Sequence, residues 1–514
     1  MDKPKISISF AELTHTKFGI ASNTFPLGLS YVASYALKQF QDKISVELFK
    51  YPKDLQKYLE NNSPQVVCFS NFCWNKNLSY EFAKRIKQHS PKTITVFGGP
   101  NYPRDPERQQ DFLLHHPYID FYISLEGEQA FSEFLKTAFK LDFNIDAIKK
   151  TELNLPNCHF ILDRKVVRGN FSTRMINLDE IPSPYLTGLN DKFFDDLLMP
   201  TVQTTRGCPF QCAYCQEGYN YWTKISRFSH ERVKNEFEYI AQRAKVPNLF
   251  VVDSNFGMYE EDIETAKIIS LSKEKYGYPN FLDLSTGKNQ KERILKCITS
   301  LGADIILSAS VQSTDPTVLK NIKRDNVSME VMKQLAQESK KIGMNSYGEV
   351  ILALPGDTKE AHFKSVFDMI DSGVNVLRIY QFFLLPGSEA FDKNTREKFE
   401  IESRFHVIPR CFGEYEVYGE SFNTAEIGEI CIANNTMTYD DYLTCRSLSL
   451  TVELFYNNGV FRELSDFMEY NNISPSTLMK NIHDRIQENP GKIKEIYEGF
   501  LKENKEDIWV KESE

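Results

Sequence analysis

Short apolar runs separated by helical spacing dominate the first part of the chain. The runs are Ile6-Ser7-Ile8-Ser9-Phe10, Ile44-Ser45-Val46-Glu47-Leu48, Val66-Val67-Cys68-Phe69-Ser70, Ile94-Thr95-Val96-Phe97 and Phe121-Tyr122-Ile123. Between them apolar side chains recur at helical intervals, as at Leu29, Val32, Ala33, Ala36 and Leu37. Strands that alternate with helices pair in parallel and are covered on both faces, so residues 1–145 are expected to form a Rossmann-like α/β domain. Residues 146–199 read as a connector. It carries a predicted hairpin (His159-Phe160-Ile161-Leu162, then Val166-Val167) and a proline-marked segment, Ile181-Pro182-Ser183-Pro184-Tyr185.

The same rhythm resumes over 200–394. Strands are predicted at 201–205, 249–253, 282–285, 305–310, 349–354 and 376–382, with helices at 231–244, 260–276, 329–342 and 359–372. Six such units make a partial (β/α)6, TIM-like barrel, whose chemistry belongs at the C-terminal ends of its strands. From 395 to 514 the pattern is mixed and then mainly helical. The expected fold class is therefore α/β: a Rossmann-like domain, a partial barrel and a mixed C-terminal region.

Composition changes this picture little. A chain of 514 residues exceeds one hydrophobic core, and 41% apolar with 13% aromatic residues is ordinary for globular protein. A net charge of −9 argues against a nucleic-acid partner. No stretch approaches the roughly 18 uncharged apolar residues of a membrane span. Met1-Asp2-Lys3-Pro4-Lys5 leads into a strand rather than a secretory signal, so a cytoplasmic location is expected.

Seven of the ten cysteines are scattered: Cys68, Cys73, Cys158, Cys297, Cys411, Cys431 and Cys445. They read as buried small hydrophobes, with Cys411 and Cys431 also candidates for a hydrogen donor. The other three stand in Arg206-Gly207-Cys208-Pro209-Phe210-Gln211-Cys212-Ala213-Tyr214-Cys215, a C-x3-C-x2-C spacing. Three thiolates on one loop can hold three irons of a 4Fe-4S cluster and leave the fourth iron open to a chelating ligand. The alternative is a zinc site, which needs a fourth Cys or His. The nearest downstream histidine, His230, lies 15 residues past Cys215, at a predicted helix start.

This loop, placed directly after the first barrel strand, resembles the signature of the radical S-adenosylmethionine (SAM) superfamily. The resemblance continues through Asp253-Ser254-Asn255-Phe256, Ser310-Val311-Gln312-Ser313, Leu319-Lys320-Asn321-Ile322-Lys323-Arg324, Glu349 at the opening of the fifth strand, Leu354-Pro355-Gly356-Asp357 and Leu385-Pro386-Gly387-Ser388. Over residues 1–390 the chain is similar to members that carry an N-terminal cobalamin (B12)-binding domain. By that resemblance Cys208, Cys212 and Cys215 ligate the cluster and Tyr214 contacts the adenine of SAM. Asp253, Ser310, Gln312, Arg324 and Glu349 are candidate SAM contacts, with Asp253-Ser254-Asn255 standing in place of the family's glycine-rich turn. In the N-terminal domain Gly98-Gly99-Pro100 and Leu125-Glu126-Gly127-Glu128 look like cobalamin-binding turns, which makes Gly98, Gly99, Glu126 and Gly127 candidate cobalamin contacts. Phe25-Pro26-Leu27-Gly28-Leu29, before the first helix, matches too.

The D-x-H-x-x-G motif that supplies a cobalt ligand is absent, as in members that leave the lower face of cobalt unligated. His15, in the first loop, could approach a ligand, but a lone loop histidine reads first as a solvated residue. The tRNA methylthiotransferases also carry an N-terminal α/β domain, but they need three further clustered cysteines that this sequence lacks.

The resemblance implies reductive cleavage of SAM to a 5′-deoxyadenosyl radical. It also implies cobalamin-dependent methylation of a small-molecule or sugar-type metabolite, with flavodoxin or ferredoxin as electron donor. A radical SAM cyclase, epimerase or rearranging enzyme is the alternative, and a zinc-stabilised binding protein the non-enzymatic one. The sequence singles out no catalytic acid or base.

Overall fold

The N-terminal sheet has seven strands in the spatial order Ile44–Phe49, Ile6–Ala11, Val66–Ser70, Ile94–Gly98, Phe121–Ile123, Cys158–Leu162, Lys165–Arg168. This is seen in a computed structural model that describes residues 4–151, 153–287, 289–302, 306–326, 328–341 and 345–512. Met1, Asp2, Lys3, Ile305 and Ile342, which the expected elements include, lie outside the described residues. The first five strands are parallel and the last two antiparallel. The hairpin expected in the connector therefore extends this sheet, with Cys158 opposite Ile123.

Val66–Ser70 is buried at every position, as an uninterrupted apolar run in a parallel sheet requires. Helices Leu27–Phe40 and Gly127–Lys140 cover one face through Tyr31, Ala33, Phe131 and Phe134. Leu55, Phe82 and Leu113, from three other helices, pack on the opposite face. Strand order reverses between Ile6–Ala11 and Val66–Ser70. The crevice beyond the carboxyl ends at such a reversal is where doubly wound sheets bind ligands.

The second sheet runs Thr201–Val202, Asn248–Phe256, Phe281–Thr286, Ile306–Gln312, Asn345–Leu352, Val376–Gln381, all parallel and in sequence order. It is the expected six-stranded barrel, open between its first and last strands among the described residues. One boundary differs. The fifth strand begins at Asn345 rather than Glu349, because the polar run Asn345-Ser346-Tyr347-Gly348 hides its start. Glu349 therefore sits inside the strand, paired with Arg378 on one side and Ser310 on the other.

The C-terminal region is helical from Tyr439–Val452 onward, but a long antiparallel hairpin, Glu402–Val417 with Glu420–Ala433, precedes it. Its base is hydrogen-bonded to the barrel edge, Cys431 N to Phe382 O at 2.9 Å and Leu384 N to Glu429 O at 2.9 Å. Its far end reaches the N-terminal domain, where Val417 and Phe422 join the core around Leu55 and Phe82. The hairpin thus straps the two sheets together.

His15 is not solvated: it is 0% exposed, beneath this strap. Its Nε2 lies 3.1 Å from Glu426 Oε1 and its Nδ1 2.8 Å from the Tyr415 hydroxyl. Glu426 also accepts the backbone N–H groups of Asn77 and Leu78, each at 2.8 Å. A carboxylate at the first turn of helix Lys76–His89 is favourably placed against its dipole. Six of the seven scattered cysteines are buried as expected, and Cys73 is half-buried. Among the described residues no helix is long and apolar enough to cross a membrane.

Candidate functional site

The cysteine loop leaves the first barrel strand and is pinned by its own backbone. Cys208 N donates to Trp222 O at 2.9 Å and Cys215 N to Cys212 O at 3.1 Å. Gly207 has φ +108, and a Cβ there would stand 2.6 Å from Lys224 O, so only glycine serves the turn into Cys208. Cys208 and Cys212 are buried and Cys215 half-buried. Among the described residues no three His, Cys, Asp or Glu side chains converge on a point that one metal ion would occupy. A polynuclear cluster asks less convergence of its ligands, since each thiolate takes its own iron.

Three successive residues at the end of strand Asn248–Phe256 hold this loop. Asp253, 3% exposed, accepts Thr204 N at 2.8 Å, Thr205 N at 3.0 Å and the Thr204 hydroxyl. The Ser254 hydroxyl donates to Glu217, two residues past Cys215. Asn255 Nδ2 donates to Cys208 Sγ at 3.2 Å. The Asp253 carboxylate is thus committed to the loop's backbone.

Burial pushes the pKa of Asp253 up to about 6 although all three hydrogen bonds oppose the shift. A carboxyl with a raised folded-state pKa contributes stability that is complete below its unfolded value and lost as pH rises through the folded one. Asp253→Asn keeps one oxygen for the two backbone donors and escapes the charge. Urea unfolding is expected to show the variant gaining about 3 kcal/mol on wild type between pH 4 and pH 7, two units at about 1.4 kcal/mol each. A difference that stays constant over that range would show Asp253 titrating as it does in the unfolded chain.

Five sequence-predicted residues meet in one network across neighbouring strand ends. Arg324, 5% exposed, donates to the Tyr214 hydroxyl at 2.6 Å, to Asn326 Oδ1 at 2.7 Å and to the Ser310 carbonyl. The Ser310 hydroxyl donates to Glu349 Oε2, which also lies 3.5 Å from Gln312 Nε2. Gln312 has φ +68 at a register shift in its strand, and its Oε1 is buried without a partner. Strained backbone and open buried acceptors both gather where ligands bind. Burial holds the pKa of Tyr214 well above its usual value, so its hydroxyl stays protonated.

The N-terminal candidates line a separate cavity of about 480 Å3 at the strand-order reversal. Gly98, Gly99, Glu126 and Gly127 form one wall. Gln203, Arg206, Glu217 and Trp222, which flank the cysteine loop, form another. Gly99 has φ +131, and a Cβ there would stand 2.6 Å from Asn71 O. Phe72 and Trp74 stack at 4.3 Å on the cavity's edge. Glu126 is held by Arg174 Nε at 3.2 Å and by Met175 N at 2.9 Å, so its carboxylate braces the wall from behind.

Sequence reasoning missed Gln203, Glu217 and Trp222 as lining residues. The one available signal was their adjacency to the cysteines.

Two family models match the chain: "B12 binding domain" over residues 19–135 and "Radical SAM superfamily" over residues 202–369. A 2-(S-pantetheinyl)-carbapenam-3-carboxylate methyltransferase of Streptantibioticus cattleyicolor is 29% identical over 417 residues, 79% of this chain and 59% of that protein. The cobalamin-dependent radical SAM methyltransferase TokK of Streptomyces tokunonensis is 29% identical over 420 residues, with the same shares of 79% and 59%. The chain therefore spans less than two thirds of the length of these relatives.

Among solved structures, the cobalamin-dependent SAM radical enzyme OxsB superposes with a TM-score of 0.64 at 14% identity, covering 98% of this chain and 75% of that one. The radical SAM methyltransferase TsrM of Kitasatospora setae gives a TM-score of 0.56 at 14% identity, covering 75% of this chain and 74% of that one. At that identity the two structures bear on the fold alone.

Proposed function

We propose, for a chain that belongs to the radical SAM superfamily and carries a B12-binding domain ahead of the barrel, that it is a cobalamin-dependent methyltransferase acting on a small molecule. The observation that carries this reading is the shared cavity. One wall is the glycine turn of the N-terminal sheet and the other is the flank of the cysteine loop, so a cofactor held in the cavity would face the residues beside the cysteines. A cluster held by Cys208, Cys212 and Cys215 would supply one electron to cleave SAM into methionine and a 5′-deoxyadenosyl radical, and cobalamin in the cavity would carry the methyl group.

The chain's own residues do the positioning. Cys208, Cys212 and Cys215 hold the cluster. Tyr214, Ser310, Gln312, Arg324 and Glu349 present a connected polar wall to SAM. Gly98, Gly99 and Gly127 let the backbone approach the cobalamin edge, Glu126 is anchored by Arg174 and Met175, and Asp253 braces the start of the cysteine loop. Flavodoxin or ferredoxin is the proposed electron donor. One relative is named for a low-molecular-weight substrate, 2-(S-pantetheinyl)-carbapenam-3-carboxylate, and this supports a small-molecule substrate here.

Anaerobic reconstitution with iron, sulfide and cobalamin, followed by SAM and a reductant, tests the proposal. Retained cobalamin, 5′-deoxyadenosine and S-adenosylhomocysteine are expected together. A chain that takes up the cluster but no cobalamin would end the methyltransfer reading. A radical rearrangement without methylation at the same cysteine loop is the alternative reading. 5′-Deoxyadenosine without S-adenosylhomocysteine would select it.

Gly28 offers an independent check on the cavity. It lines the cavity, and a Cβ there would meet no protein atom within 4 Å. It occupies the second position of helix Leu27–Phe40, where any residue fits the backbone. Gly28→Phe is expected to fold and to lower cobalamin uptake about tenfold or more, since overfilling a site costs roughly 1–3 kcal/mol and 1.4 kcal/mol is a decade. Iron and sulfide content should not change. Undiminished cobalamin absorbance in the variant would place the cofactor elsewhere.

A further inference from the structure

The end of strand Asn248–Phe256 does more than support the barrel. Its three polar residues reach the cysteine loop before the first cysteine, at it and beyond the third: Asp253 to Thr204 and Thr205, Asn255 to Cys208, Ser254 to Glu217. Two of these contacts are ordinary bracing of backbone or side chain. The Asn255 contact differs, because its acceptor is a sulfur of the metal-binding set.

Asn255 is 4% exposed, Nδ2 lies 3.2 Å from Cys208 Sγ, and Oδ1 is buried with no partner. A buried acceptor left open costs stability. This side chain therefore bears a cost in order to aim its N–H at a sulfur. An iron-bound thiolate carries no proton and can only accept, so with a cluster in place the amide must present its nitrogen to the sulfur. Hydrogen bonds to ligand sulfurs are among the levers that set the potential of an iron–sulfur centre, since they stabilise the more negative, reduced state.

We propose that Asn255 is a positioning residue that sets the reduction potential of the centre held by Cys208, Cys212 and Cys215, by donating its side-chain N–H to Cys208 Sγ. The inference rests on the reading of these three cysteines as a cluster site. It makes electron entry, which must precede SAM cleavage, dependent on a residue that ligates nothing.

The test uses the anaerobically reconstituted full chain as wild type, Asn255→Leu and Asn255→Asp, with iron and sulfide quantified and the reduced fraction followed by EPR against ambient potential. Leucine keeps the branching at Cγ and removes the donor. Aspartate keeps the shape and places a negative oxygen against the sulfur. The cluster is expected to be retained in both. At the wild-type midpoint the reduced-to-oxidised ratio should fall about tenfold in Asn255→Leu, equivalent to 59 mV for a one-electron couple, and further in Asn255→Asp.

Intact clusters with an unchanged midpoint would overturn the proposal. So would loss of the cluster from both variants, which would make Asn255 a requirement for assembly rather than for potential. If one variant fails to hold the cluster, the midpoint of the other decides. A wild-type chain without iron and sulfide would instead refute the underlying cluster reading, and the inference with it.

Discussion

Cys212→Ala is expected to leave a folded chain with background iron and sulfide and with reductive SAM cleavage reduced by well over a hundredfold. Removing a residue that merely supports a metal ligand costs about 10–100-fold, and loss of a ligand on a three-cysteine loop exceeds that. The fold should survive because the change deletes one buried sulfur. A small cavity of that kind costs about 1–2 kcal/mol, within the stability of an ordinary domain. Cys445→Ala is the matched control, since Cys445 is as buried as Cys212 but belongs to the core formed with Leu352, Phe382 and Tyr442. It should carry the same packing cost and keep its iron. Wild-type iron and sulfide in Cys212→Ala, measured after anaerobic purification, would remove the basis for any radical chemistry at this loop.

The parts of the molecule legible in the sequence are those fixed by local pattern. Val66–Ser70 and Phe121–Ile123 match their apolar runs residue for residue, because a strand buried on both faces leaves no polar position to confuse its ends. The cysteine loop is legible for a similar reason: its spacing and its place after a strand are both local. What escaped notice is set by partners far along the chain. His15 is buried by Glu426, 411 residues away. The strap that carries Glu426 has Pro409 inside a register shift and charged residues along both strands, and no apolar alternation announces it.

Carboxylates were the other difficulty. Glu126 and Asp253 look like cofactor contacts from their position at strand ends, yet both are spent on backbone N–H groups of neighbouring turns. A sequence shows that a strand end carries an acid, but the fold decides which donor claims it.

The largest stability effect is expected at Arg206, which joins the two domains electrostatically. It precedes the cysteine loop, yet its guanidinium lies 2.8 Å from Glu128 and 3.8 Å from Glu126, both of the N-terminal domain. All three side chains are buried. Glu126 keeps Arg174 as a second partner, whereas Arg206 is the one cation paired with Glu128 among the described residues. Arg206→Met preserves the apolar stem and strands the Glu128 carboxylate in a low-dielectric interior. Breaking a buried pair in this way costs about 3–5 kcal/mol, mostly as the desolvation of the orphaned charge and not as lost attraction.

That origin makes the effect reversible by a second change. Glu128→Gln in the same chain removes the orphan, and neutral replacement of a whole buried pair is often nearly cost-free. The double variant should therefore recover most of the loss, with a coupling energy of about 2 kcal/mol or more in the urea-unfolding cycle. Additive losses would mean that Glu128 finds water or another donor when Arg206 is gone. The junction between the two cofactor domains would then be held by packing and by the C-terminal strap, with no contribution from this charge pair.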